Sequence, residues 1–238
     1  MSIIHKTTLT PTKLELLSGW LPSRPWYRGG GGAPALVKAG GFRLDDPDGV
    51  VGIELMVVTD TAGGEPVAYL VPLTYRGTPL DGADGALIGT TEHGVLGTRW
   101  VYDGTRDPVF AEQLVALIQG TAQPQAQSQS NMPDLTVRTR AASPARLAPG
   151  RFSAVDGPDG THLTIDAGDA GQLRVRVMRV LEAEPDPGAS SAGSGLGYVT
   201  AQWQTPDSTM TRSVFATAEH ASARHTRGSR GPVEPGRG

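Results

Sequence analysis

A few residue groups in this chain have the types and spacing to do chemistry or recognition. Gly29–Gly32 is a glycine run of the kind that cradles phosphate. A P-loop, however, needs a closing Gly-Lys-Ser/Thr and a preceding strand, and neither is present, so the run reads as a loop. His93 and His162 are of metal-ligand type, yet no second His or Cys stands at ligand spacing beside either. Both read as surface side chains, and no metal or other cofactor is expected. A serine nucleophile needs a histidine base and a strained turn. Nothing resembling Gly-x-Ser-x-Gly occurs, and Ser190–Ser194 reads as a loop. Arg174 and Arg176 alternate with Val175 and Val177, which puts both guanidiniums on one strand face, and Arg138 and Arg140 do the same on another. These four arginines are a candidate anion-binding face, the alternative being a solvated sheet face. Trp26, Tyr27 and Arg28 are the candidate partner- or sugar-binding residues, because aromatic and arginine side chains anchor interfaces and stack on sugars. The competing reading has Trp20 and Trp26 capping the sheet's apolar face.

The elements that must position these groups are mostly strands. With 32 glycines and 19 prolines the composition favours short strands and turns over long helices. Pro11–Leu21 predicts a short helix, with Pro11 in its first turn and Leu14, Leu17 and Leu21 on one face. Strands follow at Ala35–Leu44, Val50–Thr59 and Pro66–Tyr75, separated by Asp/Pro/Gly turn clusters. Val67, Tyr69, Val71, Leu73 and Tyr75 alternate as in a half-buried antiparallel strand, and Pro72 belongs at an edge or bulge. Ala86–Glu92 and Thr98–Tyr102 add two shorter strands. Asp107-Pro108 opens the clearest helix, with Asp107 as N-cap, Phe110, Leu114, Leu117 and Ile118 as its stripe, and Gly120 as its end.

Residues 121–133, where Gln alternates with Ala, Ser and Pro, read as a linker that cannot pack. Beyond it Asp134–Arg140, Arg151–Val155, Thr161–Asp166, Gln172–Leu181, Gly197–Gln204 and Met210–Ala216 predict short strands and no helix. Residues 219–238 read as a disordered tail. The expected organisation is therefore an α+β domain over 1–120, a curved antiparallel sheet with one or two helices, followed by a smaller β-rich domain over 134–218. The net charge of −3 argues against a nucleic-acid partner. No run is long and apolar enough for a signal peptide or a membrane span, so a cytoplasmic location is expected, and with no Cys disulfides are excluded.

Six motifs follow one another in the chain: Trp20-Leu21-Pro22, Trp26-Tyr27, Gly29, Tyr69-Leu70-Val71-Pro72-Leu73, Ile88-Gly89 and Tyr102-Asp103-Gly104-Thr105-Arg106-Asp107-Pro108. In this order and rough spacing they resemble the N-terminal cap domain of actinobacterial maltokinases, over residues 12–120. The resemblance implies a small α+β cap, a curved sheet around a helix, which sits on the N-lobe of a kinase making maltose 1-phosphate from maltose and ATP. The family's usual Gly-Lys after the aromatic pair is replaced here by Arg28 and the glycine run. Residues 134–218 would correspond to a decayed form of the N-lobe sheet that follows the cap.

Kinase chemistry needs a lysine on a strand to hold phosphates, and carboxylates for Mg²⁺ and the acceptor hydroxyl. After Lys38 the chain has no lysine, and Leu173–Val180, the strand most like the family's phosphate-lysine strand, offers Arg or Met instead. No His-x-Asp loop and no helical C-lobe follow. The expectation is thus a non-catalytic, cap-like protein that binds or regulates an enzyme of α-glucan, trehalose or maltose 1-phosphate metabolism. Two alternatives stand beside it: a binder of a sugar or sugar phosphate, and an accessory subunit of a separate maltokinase-type kinase. Oligomeric state stays open.

Overall fold

The computed structural model describes residues 9–127, 132–141, 151–158, 160–166, 168, 171–183 and 197–220. The Ser190–Ser194 loop and most of the 219–238 tail lie outside them, but Glu219 and His220 are not tail: they end the last strand. Helix α1 (Lys13–Trp20) starts two residues later than the expected Pro11. Thr12 is the N-cap, its hydroxyl accepting from the Glu15 amide while the Glu15 carboxylate accepts from the Thr12 amide at 2.6 Å. Helix α2 (Pro108–Ile118) follows its sequence signals closely. Asp107 accepts from the Val109 amide at 3.0 Å, Pro108 fills the first position, and Phe110, Leu114, Leu117 and Ile118 are all buried. Gly120 follows with φ +74°, the left-handed conformation that ends helices. Among the described residues no helix is long and apolar enough to cross a membrane.

The strands are β1 (Leu9–Thr10), β2 (Leu36–Leu44), β3 (Gly52–Asp60), β4 (Val67–Arg76), β5 (Leu87–His93), β6 (Gly97–Asp103), β7 (Gln125–Ala126), β8 (Arg138–Ala141), β9 (Phe152–Gly157), β10 (Gly160–Asp166), β11 (Gln172–Val177), β12 (Val180–Leu181), β13 (Gly197–Gln204) and β14 (Met210–His220). Their order is β1-β5-β6-β4-β3-β2-β13-β14-β11-β10-β9, with β12 on β4, β7 on β2 and β8 on β13. Every pairing is antiparallel.

The sheet curls back on itself at β4. One edge of β4 pairs with β3 throughout, while its other edge changes partner: Ala68 and Tyr69 meet β12, and Leu73 onward meets β6. Because β12 continues β11 across Met178 and Arg179, the path β2–β3–β4–β12–β11–β14–β13 returns to β2, where Trp203 meets Gly40. Pro72 sits at that change of partner. The Leu70 amide, two residues earlier on the same edge, donates to the Arg179 carbonyl, so the side of the strand where Pro72 lacks an N–H opens between β12 and β6.

Two cores flank β3 and β4. Inside the curl, Phe42, Leu55 and Leu70 pack with Phe110 and Leu114 of α2 and with Val175, Val199 and Phe215 from the far half of the chain. The Phe42 and Phe215 rings stack at 5.9 Å. On the outer face, beneath α1, lie Leu17, Trp20, Trp26, Met56, Tyr69, Val71 and Leu73. Strand β4 is consequently buried on both faces rather than half-buried: its alternating set faces α1, and Ala68 and Leu70 face α2.

The division expected at residues 121–133 is not a division of this core. Strands of residues 152–220 extend the same sheet and fill the same interior as residues 36–118. Part of the expected linker is itself in the sheet, where Gln125 and Ala126 pair with Arg43 and Phe42. Small polar side chains do not prevent backbone pairing, and residues 121–127 hold their place by hydrogen bonds and by Ala122, which packs against the core. Gln172–Leu181, expected as one strand, breaks at Met178 and Arg179. Asp134–Thr136, expected to be extended, forms a turn in which the Asp134 carboxylate accepts from the amide and hydroxyl of Thr136.

Candidate functional site

The segment Tyr102–Pro108 brings two carboxylates into the interior, where one meets a buried arginine and the other a half-buried one. Asp103 ends β6. Arg179, in the break between β11 and β12, donates from Nη2 to both oxygens of Asp103 at 2.7 and 2.6 Å and to the Thr105 hydroxyl at 2.8 Å. Its Nε donates to the Thr161 hydroxyl at 2.7 Å, and its guanidinium carbon lies 4.9 Å from the centre of the Trp26 ring. Arg179 is fully buried, so removing it would leave the Asp103 charge inside the protein with two donors, the amide and hydroxyl of Thr105. Four residues on, Asp107 caps α2 and accepts a two-pronged contact from Arg76, Nε and Nη2 each at 2.7 Å.

A third pair extends the network. The Thr161 hydroxyl donates a hydrogen bond to Asp156 at 2.6 Å, and Arg106 donates to Asp156 at 3.0 Å and to the Ala154 carbonyl. Burial pushes the Asp156 carboxyl up, but the Thr161 hydroxyl, Arg179 and Arg106 outweigh it and hold it below the usual carboxylate range. These groups therefore clamp α2 and β9–β11 to the end of β6. Each carboxylate is occupied by an arginine or a hydroxyl, an arrangement suited to rigidity.

The Trp-Tyr-Arg motif divides by burial. Trp26 is 1% exposed, packed edge-on against Trp20 at 5.8 Å and tilted against Tyr69 at 5.9 Å. It has no free face for a partner or a sugar, so the core reading holds for it and the binding assignment does not. Lean strands of Val and Gly leave volume that a large ring fills. Tyr27 is half-buried, with its ring 5.6 Å from Tyr69 and its hydroxyl donating to Asp60 at 2.8 Å. Burial and then Asp60 push its pKa up to about 12. Arg28 is exposed, its backbone amide donating to the Tyr69 hydroxyl at 2.9 Å.

The arginine pairs lie on one sheet face. The registers put Arg140, Tyr198, Thr217, Arg176 and His162 in a single row across β8, β13, β14, β11 and β10. Arg138 and Arg174 stand two residues along from Arg140 and Arg176, on the same face. Arg138, Arg140 and Arg174 are exposed, while Arg176 is half-buried. His93 instead closes the β5–β6 turn, its Nδ1 accepting from the amides of Val95 and Leu96. Among the described residues no group of three or more His, Asp or Glu is placed to hold a metal ion.

One buried cluster escaped sequence reasoning. Glu54, on β3, accepts from Lys13 of α1 at 2.5 Å, the Tyr75 hydroxyl at 2.6 Å and the Gln127 amide at 2.8 Å, and Lys13 lies 5.0 Å from the centre of the Tyr75 ring. Burial pushes the Glu54 carboxyl up, but Lys13, Tyr75 and Lys38 outweigh it and keep it below the usual range. Burial, then Glu54, raises Tyr75 well above an ordinary phenol. The available signal was a glutamate inside the apolar run Ile53–Val58, where a charge demands a partner.

The curated proteins contain no match to this chain. A family model described as the maltokinase N-terminal cap domain matches residues 20–107, from the first tryptophan of the Trp-Leu-Pro motif to the N-cap of α2. The ordered motifs fall within the same stretch, so residues 20–107 are similar in sequence to the maltokinase N-terminal cap domain.

Proposed function

We propose that this chain is a non-catalytic, cap-type module that docks onto an enzyme of α-glucan, trehalose or maltose 1-phosphate metabolism and regulates it. The observation that carries the reading is the similarity to a cap domain, combined with the use the chain's charged signature makes of its charges. Asp103 and Asp107 of that signature, and Asp156 beyond it, are each paired with an arginine of this chain. After Lys38 the sequence has no lysine to serve an ATP phosphate. Such a body is built to present a fixed surface. An enclosed Trp26 also weighs against the sugar-stacking alternative.

The test uses purified chain with ATP, Mg²⁺ and maltose, alone and added to a purified trehalose synthase or maltokinase-type kinase. Alone it forms no maltose 1-phosphate above a blank; added to its partner it changes the enzyme's rate. Turnover by the chain alone overturns the non-catalytic assignment. A rise in melting temperature with maltose, trehalose or maltose 1-phosphate favours the small-ligand reading instead.

A further inference from the structure

The arginine row on the outer face of β8, β13, β14 and β11 has no role in the clamp or the cores. In it Arg140 and Arg176 stand three strands apart, about 14 Å at the usual strand spacing, with Tyr198 and Thr217 between them. Arg138 and Arg174 widen the row by about 7 Å along their strands. Positive charge is in excess here: Arg138, Arg140, Arg174 and Arg176 share the face with Glu219 and Asp166, and Arg212, opposite Gln202, donates to the Thr136 carbonyl at 2.7 Å. The excess stands on a chain whose net charge is −3, so it is a local feature and not the composition repeated.

We infer that this face docks the acidic surface of a partner protein, a proposal that rests on the docking reading above. Guanidiniums spread over such an area meet several separate carboxylates more readily than one small anion. Arginines around a central tyrosine are also the composition of protein-interface anchors. A nucleic acid fits less well, because Glu219 stands beside Arg174 in the ladder and Asp166 lies on the same face of β10: a protein surface can set a lysine or arginine opposite these two carboxylates, whereas a phosphate backbone offers only negative charge.

The probe is a fluorescent poly-Glu peptide, titrated with the full chain at low and at physiological salt. Binding should weaken with salt, and should fall roughly tenfold or more in Arg138→Glu/Arg140→Glu, as loss of paired charges does. Arg174→Glu, exposed on a different strand, reads the same face should the β8 variant fail to fold, and Arg99→Glu on the β5–β6 hairpin should bind as wild type. Equal binding by Arg174→Glu, or tighter binding of a single-stranded oligonucleotide than of the peptide, overturns the inference. If the peptide does not bind while the enzyme still docks, this face is wrong and the docking reading stands. If the peptide binds the face but no pathway enzyme docks, the face stands and the docking reading fails.

Discussion

Replacing Arg179 by Met probes whether the clamp joins the two halves of the chain into one folded unit. Arg179 makes every side-chain contact in a buried setting: two bonds to Asp103, one each to Thr105 and Thr161, and the face of Trp26. Breaking a buried pair by removing one partner typically costs about 3–5 kcal/mol, a large share of a stability of about 5–15 kcal/mol. The lower end applies here, because Asp103 keeps the Thr105 amide and hydroxyl. Arg179→Met should therefore lose about 3 kcal/mol in urea unfolding at pH 7. Adding Asp103→Asn removes the stranded charge, so the double variant should be more stable than the sum of the singles by about 1 kcal/mol or more. Tryptophan fluorescence and far-UV circular dichroism should report a single shared transition, since Trp26 and Trp203 sit in the two cores that β3 and β4 separate. A loss below about 1 kcal/mol, or a cap that stays native while the later strands melt, would refute the reasoning.

Three further outcomes follow from the same geometry. Glu54 is held below its unfolded value of about 4.3, so its contribution is complete above that pH and fades as pH falls through the folded value; Lys13→Met should move the acid-unfolding midpoint to higher pH, and an unmoved midpoint contradicts the pairing. Tyr27, raised to about 12 from about 10, contributes fully below pH 10 and loses its contribution as pH climbs toward 12. Tyr27→Phe should cost about 0.5–1.5 kcal/mol at pH 7 and less at pH 11 in urea melts, whereas Arg28→Ala should stay within about 0.5 kcal/mol. Phe110→Ala, emptying the fully buried ring of α2, should cost about 3–5 kcal/mol by the same measurement, and a cost under 1 would mean α2 does not plug the curl.

What the sequence made legible was local. Asp107, Pro108 and the Phe110 to Ile118 stripe place α2, and the alternation of Val67, Tyr69, Val71 and Leu73 places β4, because cap chemistry and period act within a few residues. The cap motifs were readable for the same reason. The closure of the sheet was not. It depends on Val180 and Leu181 finding Tyr69 and Ala68, and on Arg179 finding Asp103, and no short-range pattern encodes a pairing across that much chain. Gln125–Gln127 were misread because large apolar side chains stood in for packing, when a backbone ladder and one amide to Glu54 do the holding. Trp26 was ambiguous for a related reason: an aromatic anchor and an aromatic core residue have the same sequence, and only the ring contacts with Trp20 and Tyr69 separate them.

The central claim is that this cap-like chain acts through a protein partner, and sedimentation velocity tests it most directly. Purified chain is mixed with purified trehalose synthase, and separately with a maltokinase-type kinase, at concentrations of about 10 μM, where an interface of ordinary size is populated. The account predicts a faster boundary containing both proteins for at least one of the two enzymes, retained in Arg28→Ala and reversed by raised salt. Independent sedimentation of the chain and both enzymes at that concentration would contradict it.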